Sequence, residues 1–322
     1  VHDPASSNLP AVPSGTLAPG DPTLELAVRR SAAAQTGIDL GYVEQLYTFG
    51  DLERGARSPA DEGRAVSVAY LALIHEEVPA PGAEWWNWYE FFPWEDHRSG
   101  TPASMTPLIR RLEDWAGSDR ERRARVTVTF GVDAPWDGIR VLERYELLYE
   151  AHLVAEAFTD QGTPAPDDLG TGRAMAFDHR RIAATALGRL RGKLTYRPVA
   201  FELLPETFTL LDLQQTVEAL AGVRLHKQNF RRLVEHNRLV AGTGERAPST
   251  GGRPPELFRF RPEVLLERPP HGARAGPKFN RSGCLQPAPP FADRCPRARC
   301  SGPAARVAPA ASRAARRAND PG

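Results

Sequence analysis

The chain has 322 residues, enough for two ordinary domains, and at 41% hydrophobic and 25% charged it has the composition of a globular protein, which excludes a fibrous or wholly disordered one. Its net charge of +1 conceals three blocks: residues 1–184 carry 17 Lys+Arg against 29 Asp+Glu (−12), residues 185–268 carry 14 against 9 (+5), and residues 269–322 carry 10 against 2 (+8). An acidic surface repels phosphates and a basic one attracts them, so any polyanion partner is expected at the second block, although clustered charge alone also describes a solvated face.

The longest near-apolar run, residues 65–74, is half of the about 20 residues a membrane helix needs, and no basic-then-apolar leader opens the chain. A soluble, cytoplasmic protein without a membrane partner is expected. Cys284, Cys295 and Cys300 all lie near the end, so everything before them folds without a disulfide, in keeping with a reducing compartment. They form no CxxC pair, and no metal site is assigned to them.

Taken in chain order, Pro19-Gly20-Asp21-Pro22 opens a helix expected over residues 23–35, closed by Thr36-Gly37, with Leu24, Ala27, Val28 and Ala32 on its buried face. Residues 42–49 alternate as a strand, and residues 65–74 read as a strand buried on both faces. The aromatic segment EWWNWYEFFPW at 84–94 is read as an inserted element packing onto the sheet, with ligand stacking as the alternative. A long helix is expected over residues 138–158, with His152 a half-buried packing residue.

Asp178 caps a helix running to about Gly192 that joins two domains. Thr209-x-x-Asp212 forms a capping box ahead of a helix with Leu213, Val217 and Leu220 on one face. After the turn 221–225, a second helix over 226–237 turns Phe230, Leu233 and Val234 inward. Lys227, Asn229, Arg231 and Arg232 are its candidate DNA-binding residues, since Lys and Arg suit phosphates or guanine edges and Asn reads adenine. Strands at 239–240 and 257–260, joined by a Gly/Pro-rich turn that carries Arg253, complete a winged helix-turn-helix. Residues 269–322, rich in Pro, Gly, Ala and Arg, are expected to be a disordered basic tail.

The loop, helix and strand order of residues 9–76 resembles the Nudix fold. The family's Arg-Glu-x-x-Glu-Glu-x-Gly stretch falls on Arg30-Ser31-Ala32-Ala33-Ala34-Gln35-Thr36-Gly37, where Ser31, Ala34 and Gln35 occupy the glutamate positions. Those glutamates hold a divalent metal against a diphosphate, so the resemblance implies a sensor without hydrolysis, with no catalytic residue, no metal and no cofactor. Its candidate ligand contacts are Arg29, Arg30, Phe49 and Arg64. Val1 lies close to the box, so the fold's preceding strand is expected to be missing from this chain.

Phe177-Asp178-His179, Arg189-Leu190-Arg191-Gly192-Lys193-Leu194, Leu204-Pro205-x-x-Phe208-Thr209-Leu210, Lys227-Gln228-Asn229-Phe230-Arg231-Arg232 and Gly252-Arg253-Pro254 resemble the C-terminal module of the NrtR regulators. The expectation is therefore a mixed α/β (α+β) chain: a Nudix-like αβα sandwich over 1–173 with an insertion at 77–173, a linker helix and winged helix-turn-helix over 174–268, and the tail 269–322. The resemblance implies a homodimer that binds double-stranded DNA, a repressor in NAD or nucleotide-sugar metabolism responsive to an ADP-ribose-like nucleotide. The alternative is a Nudix hydrolase with an accessory winged helix.

Overall fold

A computed structural model describes residues 9–50, 66–75, 78–194, 199–248 and 254–264, with the backbone of two short strands beyond them. Residues Val1–Ala288 form one compact unit, and residues 289–322 lie outside the described residues. The class is mixed, helices with short antiparallel sheets.

Helix α1 (Leu24–Thr36) starts where the Thr23 side chain accepts from Leu26 N–H, and ends at Gly37, whose φ of 71° is the left-handed conformation of a helix stop. Its buried residues are Ala27, Ser31 and Ala32; Leu24, expected inside, is 43% exposed because the face turned inward is the small-residue stripe. Strands β1 (Tyr42–Phe49) and β2 (Ser67–Leu73) pair antiparallel, with an irregularity between Gln45 and Tyr47. Only Ala69, Leu71 and Leu73 of β2 are buried, so this strand has one covered face and one half-covered face, not two buried ones.

The aromatic segment folds as α2 (Trp88–Phe91) and a 3₁₀ turn (Pro93–Glu95). Its buried aromatics pack among helices, and Trp88 also packs against the cluster that holds residues of β1 and β2. Phe91, Phe92 and Trp94 join one buried cluster with residues of α3 (Met105–Ala116), α4 (Arg120–Phe130) and α5 (Val141–Glu150). The expected helix over 138–158 is two: α5 stops at Glu150, and α6 (Ala155–Thr159) follows. His152 sits between them with φ of 54°, exposed, its ring 2.6 Å from the Gln161 amide nitrogen, because Leu153 and Val154 turn inward and break the helix.

Helix α7 (His179–Leu194) is the spine of the unit. Ala184 and Leu187 belong to the helical cluster, whereas Ala186 and Leu190 belong to a second cluster shared by β1, β2 and the C-terminal module. One helix thus buries adjacent faces in two cores, and its fully buried leucines each contribute about 2 kcal/mol. After a 3₁₀ turn (Val199–Leu203) come α8 (Leu210–Ala221), α9 (Lys227–His236), β3 (Val240–Arg246) and β4 (Glu256–Phe260). Within the region expected to lack order, strands β5 (Lys278–Phe279) and β6 (Leu285–Gln286) pair. The three cysteines lie outside the described residues.

Candidate nucleic-acid interface

The helix-turn-helix is built from local signals. Thr209 and Asp212 exchange both bonds of a capping box, Asp212 N–H to Thr209 Oγ1 at 3.2 Å and Thr209 N–H to Asp212 Oδ2 at 2.9 Å, and Gly222 at φ 71° stops α8. Inside the bend, the Glu218 carboxylate accepts from Leu225 N–H at 2.9 Å and from the Gln214 amide at 2.8 Å, while the same Gln214 nitrogen donates to Leu225 O at 3.1 Å. This bracket sets where α9 begins.

Helix α9 buries Phe230 and Val234, which dock it on α8. At 100° per residue, Gln228 and Arg232 point directly away from that apolar stripe, Arg231 and Asn229 flank it on opposite sides, and Lys227 lies at the N-terminal rim one turn from Arg231. Lys227, Arg231 and Arg232 are exposed and Asn229 is half-buried. Among the described residues none of the three cations forms an ion pair, so their charge is available to a phosphate backbone. Glu235 is the single carboxylate on the helix.

The wing follows. Strands β3 and β4 pair antiparallel from Val240↔Phe260 to Arg246↔Glu256, and Phe208 bridges to Phe258 as a third strand position. Ala247 N–H to Pro255 O at 2.9 Å closes the hairpin toward its tip. Arg253, the expected wing contact, lies outside the described residues. Phe201 stacks on Phe260 at 4.3 Å and so fixes the wing to the 3₁₀ turn before α8.

The DNA-binding domain family of NrtR, the NrtR DNA-binding winged helix domain, matches residues 200–260. Residues 200–260 are similar to the NrtR DNA-binding winged helix. The curated relative "ADPR responsive transcriptional repressor NtrR" of Acinetobacter baylyi (strain ATCC 33305 / BD413 / ADP1) is 36% identical over 86 residues, which cover 27% of this chain and 34% of the relative. The chain therefore spans about a third of that relative's length in the match. Shewanella oneidensis NrtR aligns over 80% of this chain and 82% of its own, at 24% identity and a TM-score of 0.45. Its complex with a 27mer DNA aligns over 80% and 83%, at 23% identity and a TM-score of 0.43.

The winged helix is joined to the helices before it through buried ion pairs that the sequence does not reveal. The Glu95 carboxylate, fully buried, pairs with Arg144 and Arg191, both also buried. Burial pushes this carboxyl up, but the two guanidiniums outweigh that and hold it below the ordinary range. A second buried pair, Arg180 with Glu156 at 3.1 Å, ties α7 to α6. Lys193 pairs with Glu44, whose carboxylate also accepts from Tyr42 Oη at 2.6 Å, and so joins α7 to β1. The spacing of Arg180 and Arg191, three turns apart on α7, was the available sign that they share a face.

The candidate ligand residues of the first half are dispersed. Arg29 pairs with Glu25 at 2.9 Å and bonds the Leu40 and Gly41 carbonyls, whereas Arg30 forks onto Asp21 at 2.9 and 2.8 Å. Phe49 is buried in the cluster shared with the winged helix, edge-on to Tyr47 and 5.3 Å from the Arg181 guanidinium. Arg64 lies outside the described residues. Of Ser31, Ala34 and Gln35, Ser31 is buried and Gln35 bonds the Ser14 backbone. Among the described residues, no group of three or more His, Cys, Asp or Glu is placed to hold a metal ion. No helix among them is long and apolar enough to cross a membrane.

Proposed function

We propose that this chain is a DNA-binding transcriptional repressor that acts in the cytoplasm as a homodimer, and whose first half responds to ADP-ribose or a related nucleotide. The observation that carries the reading is the exposed side of α9, where Arg231 and Arg232, with Lys227 at the N-terminal rim, stand without ion-pair partners among the described residues, beside Asn229 on a winged helix similar to that of NrtR. Phosphate contacts supply affinity and register, and the Asn229 amide supplies a donor and an acceptor suited to an adenine edge. Two recognition helices in a dimer engage half-sites about 34 Å apart.

The effector reading rests on the curated relative's description as ADPR responsive and on the Nudix resemblance. A diphosphate has to draw Arg29 and Arg30 from Glu25 and Asp21, so in this reading the ligand exchanges one set of anionic oxygens for another. A Mg²⁺ ion, the resident metal of active Nudix enzymes, does not suit the donors present: Ser31, Ala34 and Gln35 supply no carboxylate, and Glu25 is already held by Arg29. The reading therefore contains no hydrolytic step. A ligand shifts DNA affinity only through different affinities for two arrangements of the protein, so ADP-ribose is expected to change both thermal stability and duplex binding.

Three measurements on the full chain test this together. ADP-ribose raises the melting temperature, it changes the affinity for the duplex that the chain enriches from a random pool, and it is recovered intact after incubation with Mg²⁺. Turnover abolished by a chelator, with no duplex enriched, reverses the reading in favour of a hydrolase.

A further inference from the structure

The bend of the helix-turn-helix is held from outside the winged helix. The last carbonyls of any helix lack intrahelical partners and must be satisfied by other groups. At the C-terminus of α8 the partners come from the segment 89–97 and from α7. Tyr89 Oη donates to Ala219 O at 2.6 Å, Arg191 Nε donates to Leu220 O at 3.1 Å, and His97 N–H donates to Gly222 O at 2.7 Å, where a parallel bridge joins His97 to Val223. Arg191 is in turn gripped by Glu95, through the carboxylate and through the Glu95 carbonyl at 3.2 Å.

The packing leaves no slack. A Cβ built on Gly222 meets Arg191 Nη2 at 2.4 Å, Glu95 O at 2.5 Å and Tyr89 Oη at 3.0 Å, so the aromatic segment lies directly against the bend. Tyr89 is 8% exposed and is covered by the Arg98 guanidinium, 4.8 Å from its ring centre, which Asp96 holds through two bonds of 2.8 and 2.9 Å. Three residues beyond the His97–Val223 bridge, at His226, the chain enters α9.

We infer that Tyr89 is a positioning residue for DNA recognition: through Ala219, and beside the Glu95–Arg191 pair, it sets the angle at which α9 is presented to a duplex. This rests on the DNA-binding reading above. Base-edge hydrogen bonds tolerate displacements of a fraction of an ångström, whereas contacts to phosphates, being largely electrostatic, tolerate more. Releasing one anchor of the bend therefore lowers sequence discrimination and leaves general affinity for DNA in place.

The test is Tyr89→Phe in the full chain, which removes the hydroxyl and keeps the buried ring. The duplex enriched from a random pool by the unaltered chain serves as the specific probe, and a scrambled duplex of equal length as the non-specific one, both measured by anisotropy well below the melting temperature. Affinity for the enriched duplex is expected to fall about fivefold to tenfold. Affinity for the scrambled duplex, and its salt dependence, stay within twofold. A purely structural role lowers the melting temperature without altering the ratio of the two affinities, and that result overturns the inference while leaving DNA binding intact. Equal losses on both duplexes overturn it as well. An unaltered chain that enriches no duplex overturns the DNA-binding reading, and the inference falls with it. If Y89F is recovered unfolded, Arg98→Ala takes its place. This half-exposed site uncovers the same ring, and it is held to the same selective loss on a smaller scale.

Discussion

Replacing Gly222 by Ala puts the junction under the most direct load. At φ 71° an L-residue pays about 1–2 kcal/mol for the left-handed backbone. Its Cβ also lies 2.5 Å from the Glu95 carbonyl oxygen and 2.4 Å from Arg191 Nη2. Neither can retreat freely: Glu95 is buried with its carboxylate pinned by two guanidiniums, and Arg191 is bonded at the same time to Leu220 O, Gly138 O and Glu95. Overpacking of this kind costs about 1–3 kcal/mol, so the variant is expected to lose about 2–5 kcal/mol in urea denaturation. Gly192, on α7, is the internal control. A Cβ there meets nothing within 4 Å, and Gly192→Ala, inside a helix at an ordinary backbone angle, is expected to gain about 0.5 kcal/mol. If G222A costs less than about 0.5 kcal/mol, or if the two variants behave alike, the close approach of the aromatic segment to the bend is wrong.

Glu95→Gln leaves Arg144 and Arg191 buried without a countercharge and is expected to cost about 3–5 kcal/mol by the same denaturation assay. The Glu95 carboxyl is held below its ordinary value of 4.5 in the folded protein, so its contribution to stability is complete above that value and is lost as pH falls below it. Stability curves against pH should therefore show a steeper acid limb for the unaltered chain than for E95Q. Thr209→Ala removes the acceptor for Asp212 N–H and the donor to Asp212 Oδ2, and is expected to cost about 1 kcal/mol in the same assay.

The C-terminal module was legible because its signals are local. A capping box, a glycine at the bend, apolar residues at helical spacing and a polar outer face all lie within 60 residues, and the same patterns produce α8, α9 and the wing. The helix at 24–36 and both strands of the β1–β2 hairpin were legible for the same reason. What could not be read is what depends on distant partners. Arg191 enters the sequence reading only as part of a motif on the linker helix, yet it is buried against Glu95, 96 residues away, and Tyr89 finds its acceptor 130 residues away. Leu24 was expected inside and Ser31 was read only as a vacated glutamate position; the small-residue face of α1 turned inward instead. A single helix over 138–158 is what the apolar pattern predicts, because Leu153 and Val154 continue it, whereas the chain buries both by turning a corner at His152.

The central claim is that the outer face of α9 neutralises phosphates, and the salt dependence of duplex binding measures this directly. Log affinity should fall linearly with log salt for the unaltered chain, and Arg231→Ala with Arg232→Ala should flatten that slope by about 2, because each lost phosphate contact removes about 0.9. An unchanged slope in the double variant, or no binding by the unaltered chain at about 50 mM salt, contradicts the account.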